Sequence, residues 1–211
     1  LTSGVTEIEP LVHDGVLFIS NAGDKIQALD AAKGDLLWEY RRDLPPQLIA
    51  QGGNTLAKRN MALFGDHLYI ATSDAHLVAL DVRTGKVAFD HTVADWKKGF
   101  RYSSGPFLAN GVVVASMSGC NAAQAGGCFI TGHDPKTGAE RWRVHTVAQD
   151  GDPNANTWNG LPHEKRFGGS AWIAGSYDPE SDTIYHGVGQ PYPWIAEMRG
   201  TSPKKDGLDN S

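Results

Sequence analysis

Two segments late in the sequence gather side chains that could take part in chemistry. Residues 168–172, GGSAW, place the Ser170 hydroxyl and the Trp172 indole after two glycines, and residues 187–194, GVGQPYPW, add the amide of Gln190. Such groups hold and orient a bound molecule, and none of them is by itself an activated nucleophile. We find no G-x-S-x-G, H-E-x-x-H, P-loop or dinucleotide-binding motif, so the sequence shows no self-contained hydrolase site.

The two cysteines, Cys120 and Cys128, form a second candidate feature. The residues between them, NAAQAGG, are small and flexible enough to close into a ring. We expect a disulfide if the compartment is oxidising. The alternative is a pair of ordinary, half-buried thiols.

The composition limits the classes of partner that this protein could bind. The 211 residues are 40% hydrophobic and 20% charged, which is typical of a soluble globular chain and not of a disordered one. The formal net charge of −5 argues against a nucleic-acid surface. No apolar run approaches the ~20 residues that span a bilayer. The opening LTSGVTEIEP lacks the features of a signal peptide, so the chain is either mature or missing its true start.

An internal repeat provides the elements that must position the candidate residues. Residues 13–40, 64–90 and 109–144 each read as a turn, an alternating apolar strand, a second strand, a D-x-x-x-G turn and a last strand that ends near an aromatic residue. The turn aspartates, Asp30, Asp81 and Asp134, are 51 and 53 residues apart. The aromatic residues that we expect between neighbouring units are Trp38, Phe89 and Trp142.

Repeats of this length with about four strands predict an all-β fold, a β-propeller. We place blade-like repeats at about 10–42, 61–92, 105–146 and 168–195, with loops at 43–60 and 147–167, in a single partial domain over 1–211. Three and a part blades cannot close a ring. The chain is therefore either a piece of a larger propeller, which we favour, or a four-bladed one that lacks a strand pair.

The repeats and the two glycine-led segments together resemble the pyrroloquinoline quinone (PQQ) dependent alcohol dehydrogenases, periplasmic quinoproteins with an eight-bladed propeller. Their blades carry the same D-x-x-x-G-x-x-x-W ends, the tryptophan-docking repeats. The resemblance runs from about Glu7 to Arg199 and corresponds to roughly the first half of such an enzyme.

The resemblance implies a set of cofactor-binding residues. TEIEPLVHDG is similar to a segment whose glutamate contacts the quinone, and NTLAKRNMAL to an N-R-G segment whose arginine pairs with a PQQ carboxylate. YSSGP and VVVASMSG resemble strands with cofactor-binding hydroxyls, and GGSAW resembles G-G-G-T-x-W, whose hydroxyl binds PQQ and whose indole stacks on it. The residues so assigned are Glu7, Arg59, Ser103, Ser118, Ser170 and Trp172.

The resemblance also implies a metal site, usually calcium, with a lanthanide as the other possibility. GVGQPYPW is similar to G-T-G-N-P-A-P-W, whose asparagine ligates the metal, so Gln190 takes that place. The family's metal-binding glutamate falls on Asn121, or near Gln124 if one gap is allowed, and neither residue is a carboxylate. Gly53-Asn54 stands where many relatives have a vicinal cysteine pair. The general-base aspartate is expected beyond residue 211, so this chain offers no catalytic residue.

The function implied by the resemblance is the oxidation of an alcohol or sugar hydroxyl to the carbonyl. PQQ would take the hydride, Ca²⁺ would assist, and electrons would pass to a cytochrome c in the bacterial periplasm. The alternative is a non-catalytic propeller scaffold that binds partner proteins and no quinone. Taken singly, Arg59 reads as a surface cation and Trp172 as a core residue.

Overall fold

Short antiparallel strands dominate the computed structural model, which describes residues 7–52, 57–121, 125–153, 155–158 and 160–199. Three four-stranded sheets follow one another along the chain, each with its strands in sequence order. We call them blades 1, 2 and 3. Their strands are β1 (Leu11–His13), β2 (Val16–Asn21), β3 (Lys25–Asp30), β4 (Leu36–Arg41), β5 (Ala62–Phe64), β6 (His67–Ala71), β7 (His76–Asp81), β8 (Val87–Thr92), β9 (Phe107–Ala109), β10 (Val112–Ser116), β11 (Phe129–His133) and β12 (Glu140–His145).

The D-x-x-x-G turns join the third and fourth strands of each blade. In each turn the aspartate side chain accepts hydrogen bonds from the backbone N–H groups two and three residues later, as Asp134 does from Lys136 and Thr137 at 2.8 and 2.9 Å. The closing glycine has a φ of 68 to 79° in the three turns, which glycine adopts without strain. A hydrogen bond from Arg141, together with these backbone bonds, holds the pKa of Asp134 well below its ordinary value.

The aromatic residue of one blade docks on the turn glycine of the next. A side chain at Gly85 would collide with the Trp38 ring, and one at Gly138 would collide with Phe89. The Trp38 indole N–H also donates to the carbonyl of Val82 at 2.9 Å. Each blade-to-blade contact therefore combines a large apolar ring with a backbone that approaches closely enough to need glycine.

Apolar side chains fill the spaces between neighbouring blades. One buried group joins blades 1 and 2 and includes Phe18, Ile26, Leu68 and Leu80. A second joins blades 2 and 3 and contains buried side chains from β6, β7 and β10 together with the cysteine pair. This packing sets the spacing of the strand ends, and most of the predicted site residues lie in the segments just outside those ends.

The rest of the described chain is less regular than the predicted fourth repeat. Residues 167–192 form two separate two-stranded sheets, β13 with β16 and β14 with β15. Both predicted loops contain short helices, and the helix in the first begins at a Pro-Pro pair, since proline is favoured at the first helical position. The bounds are β13 (Phe167–Gly168), β14 (Ser176–Asp178), β15 (Thr183–Tyr185), β16 (Pro191–Tyr192), α1 (Pro46–Ala50) and 3-10 helices at Trp96–Lys98, Ala155–Trp158, His163–Lys165 and Ala196–Arg199.

No helix among the described residues has the length and apolar character needed to cross a membrane.

Candidate functional site

Arg59 lies at the centre of the predicted site, just before β5. Its Nη2 forms an ion pair with Glu7 Oε2 at 2.5 Å, and its Nη1 donates to the carbonyl of Ser103 at 2.9 Å. The guanidinium carbon lies 5.1 Å from the centre of the Trp172 ring, within the range of a cation–π contact. A guanidinium carries five N–H groups, so these contacts orient Arg59 without using its full donor capacity.

Two serine hydroxyls lie next to this arginine. Ser103 Oγ is 3.3 Å from Ser118 Oγ and 3.4 Å from the carbonyl oxygen of Trp172. Ser118 Oγ donates to the carbonyl of Arg101 at 2.8 Å, so it can accept the proton of Ser103. Backbone hydrogen bonds in both directions join residues 101 and 118, and they fix the two serines side by side.

Trp172 presents its indole to solvent, although its neighbour Ala171 is fully buried. The Trp172 side chain is 47% exposed, and the Ala171 N–H donates to the carbonyl of Met117 at 3.0 Å. Exposing so large an apolar ring is unfavourable unless a ligand or another part of the protein covers it. Glu7, Arg59, Ser103, Ser118 and Trp172 thus form one contiguous group, which we call the Arg59 cluster.

The segments that carry Ser170 and Gln190 are hydrogen-bonded to each other, and Ser170 precedes Trp172 of the Arg59 cluster by two residues. The Gly189 N–H donates to the carbonyl of Ser170 at 2.8 Å, and the Gly169 N–H donates to the carbonyl of Gln190 at 3.2 Å. The Gln190 amide nitrogen donates to the Tyr192 hydroxyl at 3.1 Å. Ser170 is therefore joined to the Arg59 cluster through the backbone that leads to Trp172.

Cys120 and Cys128 form a disulfide, with their Cα atoms 5.4 Å apart. The loop that the bridge closes is hydrogen-bonded to β13, because Gly168 N–H donates to the carbonyl of Cys120 and Cys128 N–H donates to the carbonyl of Gly168. Residues 168–170 therefore lie between the disulfide loop on one side and Gln190 on the other. The hydrogen bond from Gly168 places Cys120, the residue before Asn121, next to the start of the GGSAW segment.

The proposed metal ligands form a weak set of donors. Asn121 and Gln190 are both exposed, and each offers one neutral amide oxygen, whereas Ca²⁺ prefers six to eight oxygens that include carboxylates. Gln124 lies outside the described residues. Within the part of the chain that the structure describes, no three His, Cys, Asp or Glu side chains converge to hold a metal ion. These residues by themselves do not fit a calcium site.

Asn60, which the sequence analysis did not select, joins the site to blade 3. Its Nδ2 donates to the carbonyl of Pro106 at 2.8 Å, and its Oδ1 accepts from the Gly105 N–H at 2.8 Å and from Ser104 Oγ at 3.2 Å. The available signal is a run of three polar residues, Lys-Arg-Asn, just ahead of the apolar segment Met-Ala-Leu-Phe. The family resemblance assigns a role only to the arginine of that run.

The sequence and the fold of this chain match known proteins. The PQQ family model, described as the β-propeller domain of glucose/ethanol/alcohol dehydrogenase, matches residues 2–202. Quinohemoprotein alcohol dehydrogenase ADH IIB of Pseudomonas putida is 34% identical over 205 residues, which cover 92% of this chain and 29% of that protein. The solved structure of quinohemoprotein alcohol dehydrogenase ADHIIG from Pseudomonas putida HK5 matches with a TM-score of 0.78 at 30% identity. The match covers 93% of this chain and 30% of the chain in that structure.

A more distant match shares the fold at low sequence identity. The crystal structure of BamB from Moraxella catarrhalis has a TM-score of 0.55 at 18% identity and covers 89% of this chain and 47% of its own. That likeness concerns the fold and not the site.

The all-β propeller fold is confirmed by the four-stranded sheets and by the matches. The chain spans between 28% and 36% of the length of the curated relatives it matches, about a third, where the resemblance had predicted about half. The family model covers nearly the whole sequence, and the chain belongs to the PQQ family of dehydrogenase β-propeller domains.

Proposed function

We propose that the full-length protein binds PQQ at the Arg59 cluster and oxidises an alcohol or sugar hydroxyl to the carbonyl. The observation that carries this proposal is the meeting of an oriented guanidinium, two adjacent hydroxyls and a half-exposed indole at one end of the blades. PQQ is a planar tricarboxylate, so cationic and hydroxyl donors suit its rim and an aromatic ring suits its face. The residues present therefore fit this cofactor.

Each residue of the cluster has a distinct task in the proposed complex. Arg59 holds a carboxylate of the cofactor, and Glu7 keeps the guanidinium turned toward the site. The Ser103 hydroxyl, whose bonds to Ser118 and to the Trp172 carbonyl are long at 3.3 and 3.4 Å, turns its proton to the rim of the cofactor. Ser118 holds Ser103 in place, and Trp172 supports the plane of the cofactor. Bound PQQ would supply the hydride-accepting chemistry, and the protein would supply binding and orientation. We propose that Ser170 adds a further hydroxyl and that Gln190 and Asn121 face the metal-binding side.

The assay that tests this function uses the full-length protein with PQQ, Ca²⁺ and an artificial electron acceptor, over a panel of alcohols and sugars. We expect turnover that requires added PQQ and that is absent from the apoprotein. A folded protein that binds no PQQ would contradict the proposal and would support the scaffold alternative. The neutral Asn121 and Gln190 pair is the observation that favours that alternative.

The electron acceptor and the location rest on the family resemblance. We propose a cytochrome c as the acceptor and the bacterial periplasm as the compartment. The disulfide supports an oxidising compartment, since such bridges persist outside the cytosol. Reduction of a purified cytochrome c by the PQQ-loaded protein and substrate would test the acceptor directly.

Replacing Asn121 by glutamate is expected to tighten Ca²⁺ binding by the PQQ-loaded protein about tenfold, the equivalent of ~1.4 kcal/mol. The substitution adds a carboxylate where the candidate ligands are neutral, and calcium affinity rises with ligand charge. Calorimetric titration with Ca²⁺ measures the effect, and Asn121→Gln controls for side-chain length without charge. Equal affinities in the glutamate and glutamine variants would contradict a metal-facing role for residue 121.

A further inference from the structure

Lys58 is a buried cation directly behind the Arg59 cluster. It is 5% exposed, and its Nζ forms an ion pair with Oδ1 of Asp24, which is 2% exposed, at 2.6 Å. The same Nζ donates to the carbonyl of Tyr102 at 2.9 Å and to the carbonyl of Ala71 at 3.3 Å. An ammonium can be buried only if it is paired and hydrogen-bonded, and here the ion pair and the two carbonyls meet that condition.

The partners of Lys58 come from three blades. Asp24 lies in the turn between β2 and β3 of blade 1, Ala71 ends β6 of blade 2, and Tyr102 lies in the segment that leads to β9 of blade 3. Asp24 extends the network, because its Oδ2 accepts from the backbone N–H of Ser73 in the β6–β7 turn at 2.6 Å. The Lys58–Asp24 pair thus ties together the same end of three consecutive blades.

This network acts on the backbone that carries a predicted cofactor ligand. Lys58 binds the carbonyl of Tyr102, and the next side chain, Arg59, binds the carbonyl of the next residue, Ser103. Two consecutive side chains therefore hold two consecutive carbonyls across the blade 2–blade 3 boundary. The position of the Ser103 hydroxyl, and of Arg59 itself, depends on this double attachment.

We propose that Lys58 is a positioning residue for the PQQ site, an inference that rests on the proposed function. Its ammonium, balanced by Asp24, fixes the Tyr102–Ser103 backbone and so presets the distance between Arg59 and the serine hydroxyls.

The test measures the PQQ dissociation constant and the melting temperature of the full-length protein in three variants. Lys58→Met removes the ammonium and keeps an unbranched side chain beside Ile26, Met61 and Ile70, which line a small adjoining cavity. The double variant Lys58→Met/Asp24→Asn also removes the charge that the single variant leaves unpaired. Asparagine suits position 24 because the backbone φ there is 53° and an amide oxygen can still accept from Ser73.

Arg42→Met is the matched control. Arg42 is a nearly buried cation whose side chain pairs with Asp74 at 2.7 Å and with Asp90 at 2.8 Å, which joins blade 1 to blade 2. Its loss is expected to lower the melting temperature and to leave the PQQ dissociation constant within about twofold of the wild-type value.

We expect Lys58→Met to raise the PQQ dissociation constant at least about tenfold and to lower the melting temperature. In the double variant the melting temperature should recover most of the loss, because no unpaired charge remains buried, while the dissociation constant should stay at least about fivefold above wild type. If Lys58→Met does not fold, the double variant carries the comparison.

The outcomes separate this inference from the proposed function. A dissociation constant that recovers together with the melting temperature, or that Arg42→Met raises equally, would show that Lys58 acts only through general stability and would overturn the inference. Unchanged PQQ binding in the folded variants would do the same and leave the proposed function intact. Wild-type protein that binds no PQQ would overturn both.

Discussion

Replacing Trp172 by alanine is expected to weaken PQQ binding by the full-length protein roughly thirtyfold, the equivalent of ~2 kcal/mol for one aromatic stacking contact. The indole is 47% exposed, so little internal packing is lost and the melting temperature should change little. The cation–π contact between Arg59 and the ring would disappear as well, which removes one of the interactions that orient the guanidinium. Fluorescence titration with PQQ, together with thermal unfolding, measures both effects.

Two further variants show whether the aromatic plane is what matters. Trp172→Phe keeps a flat ring and should retain most of the affinity, within about fivefold of wild type. Trp96→Ala removes a partly exposed indole from a surface 3-10 helix and should leave PQQ binding unchanged. If Trp172→Ala binds PQQ as tightly as the wild type does, the Trp172 indole does not stack on PQQ and the proposed arrangement is wrong.

The sequence predicted the blade architecture well because its signals are local. The alternating strands and the D-x-x-x-G turns are read within a few residues, and the structure places those turns as expected. Even the contacts between blades were foreseeable, since Trp38 and Phe89 recur at the repeat period and dock on Gly85 and Gly138. The fourth repeat is less regular in the structure, where its strands form two separate pairs.

The site was foreseeable only through the resemblance, since its members are distant in sequence. Arg59, Ser103 and Trp172 meet because neighbouring blades bring their strand ends together, and no local pattern reports that proximity. The Lys58–Asp24 ion pair is harder still to predict from sequence. The two residues are far apart in the chain, and each by itself has the appearance of an ordinary surface charge. Such contacts follow from the packing of the blades and not from any motif.

Gly105→Ala is expected to be the most disruptive small substitution near the site. An added methyl group would overlap the backbone carbonyl of Asn60, which cannot rotate away as a side chain could. The segments 58–60 and 102–106 would have to separate. This breaks the hydrogen bond that Asn60 accepts from the Gly105 N–H and those that Asn60 and Arg59 donate to the carbonyls of Pro106 and Ser103. Overpacking costs about 1–3 kcal/mol and each lost hydrogen bond about 1 kcal/mol. We expect the free energy of unfolding to fall by about 3 kcal/mol or more, with PQQ affinity reduced at least about tenfold.

Gly187→Ala provides the matched control for this change, because the same methyl group there would meet only Ile173 Cδ1, at an ordinary contact distance of 3.5 Å. Denaturant unfolding of both variants, followed by PQQ titration under conditions where both are folded, separates stability from site geometry. If the two variants lose similar amounts of stability, the close approach at Gly105 is not what holds the two segments together. If Gly105→Ala unfolds readily but binds PQQ normally while folded, the 102–106 segment does not set the position of Ser103. We expect Gly105→Ala alone to lose both stability and PQQ affinity. The carbonyl of Ser103 and the N–H of Gly105 belong to one short segment, and Arg59 and Asn60 bind that segment from the same side.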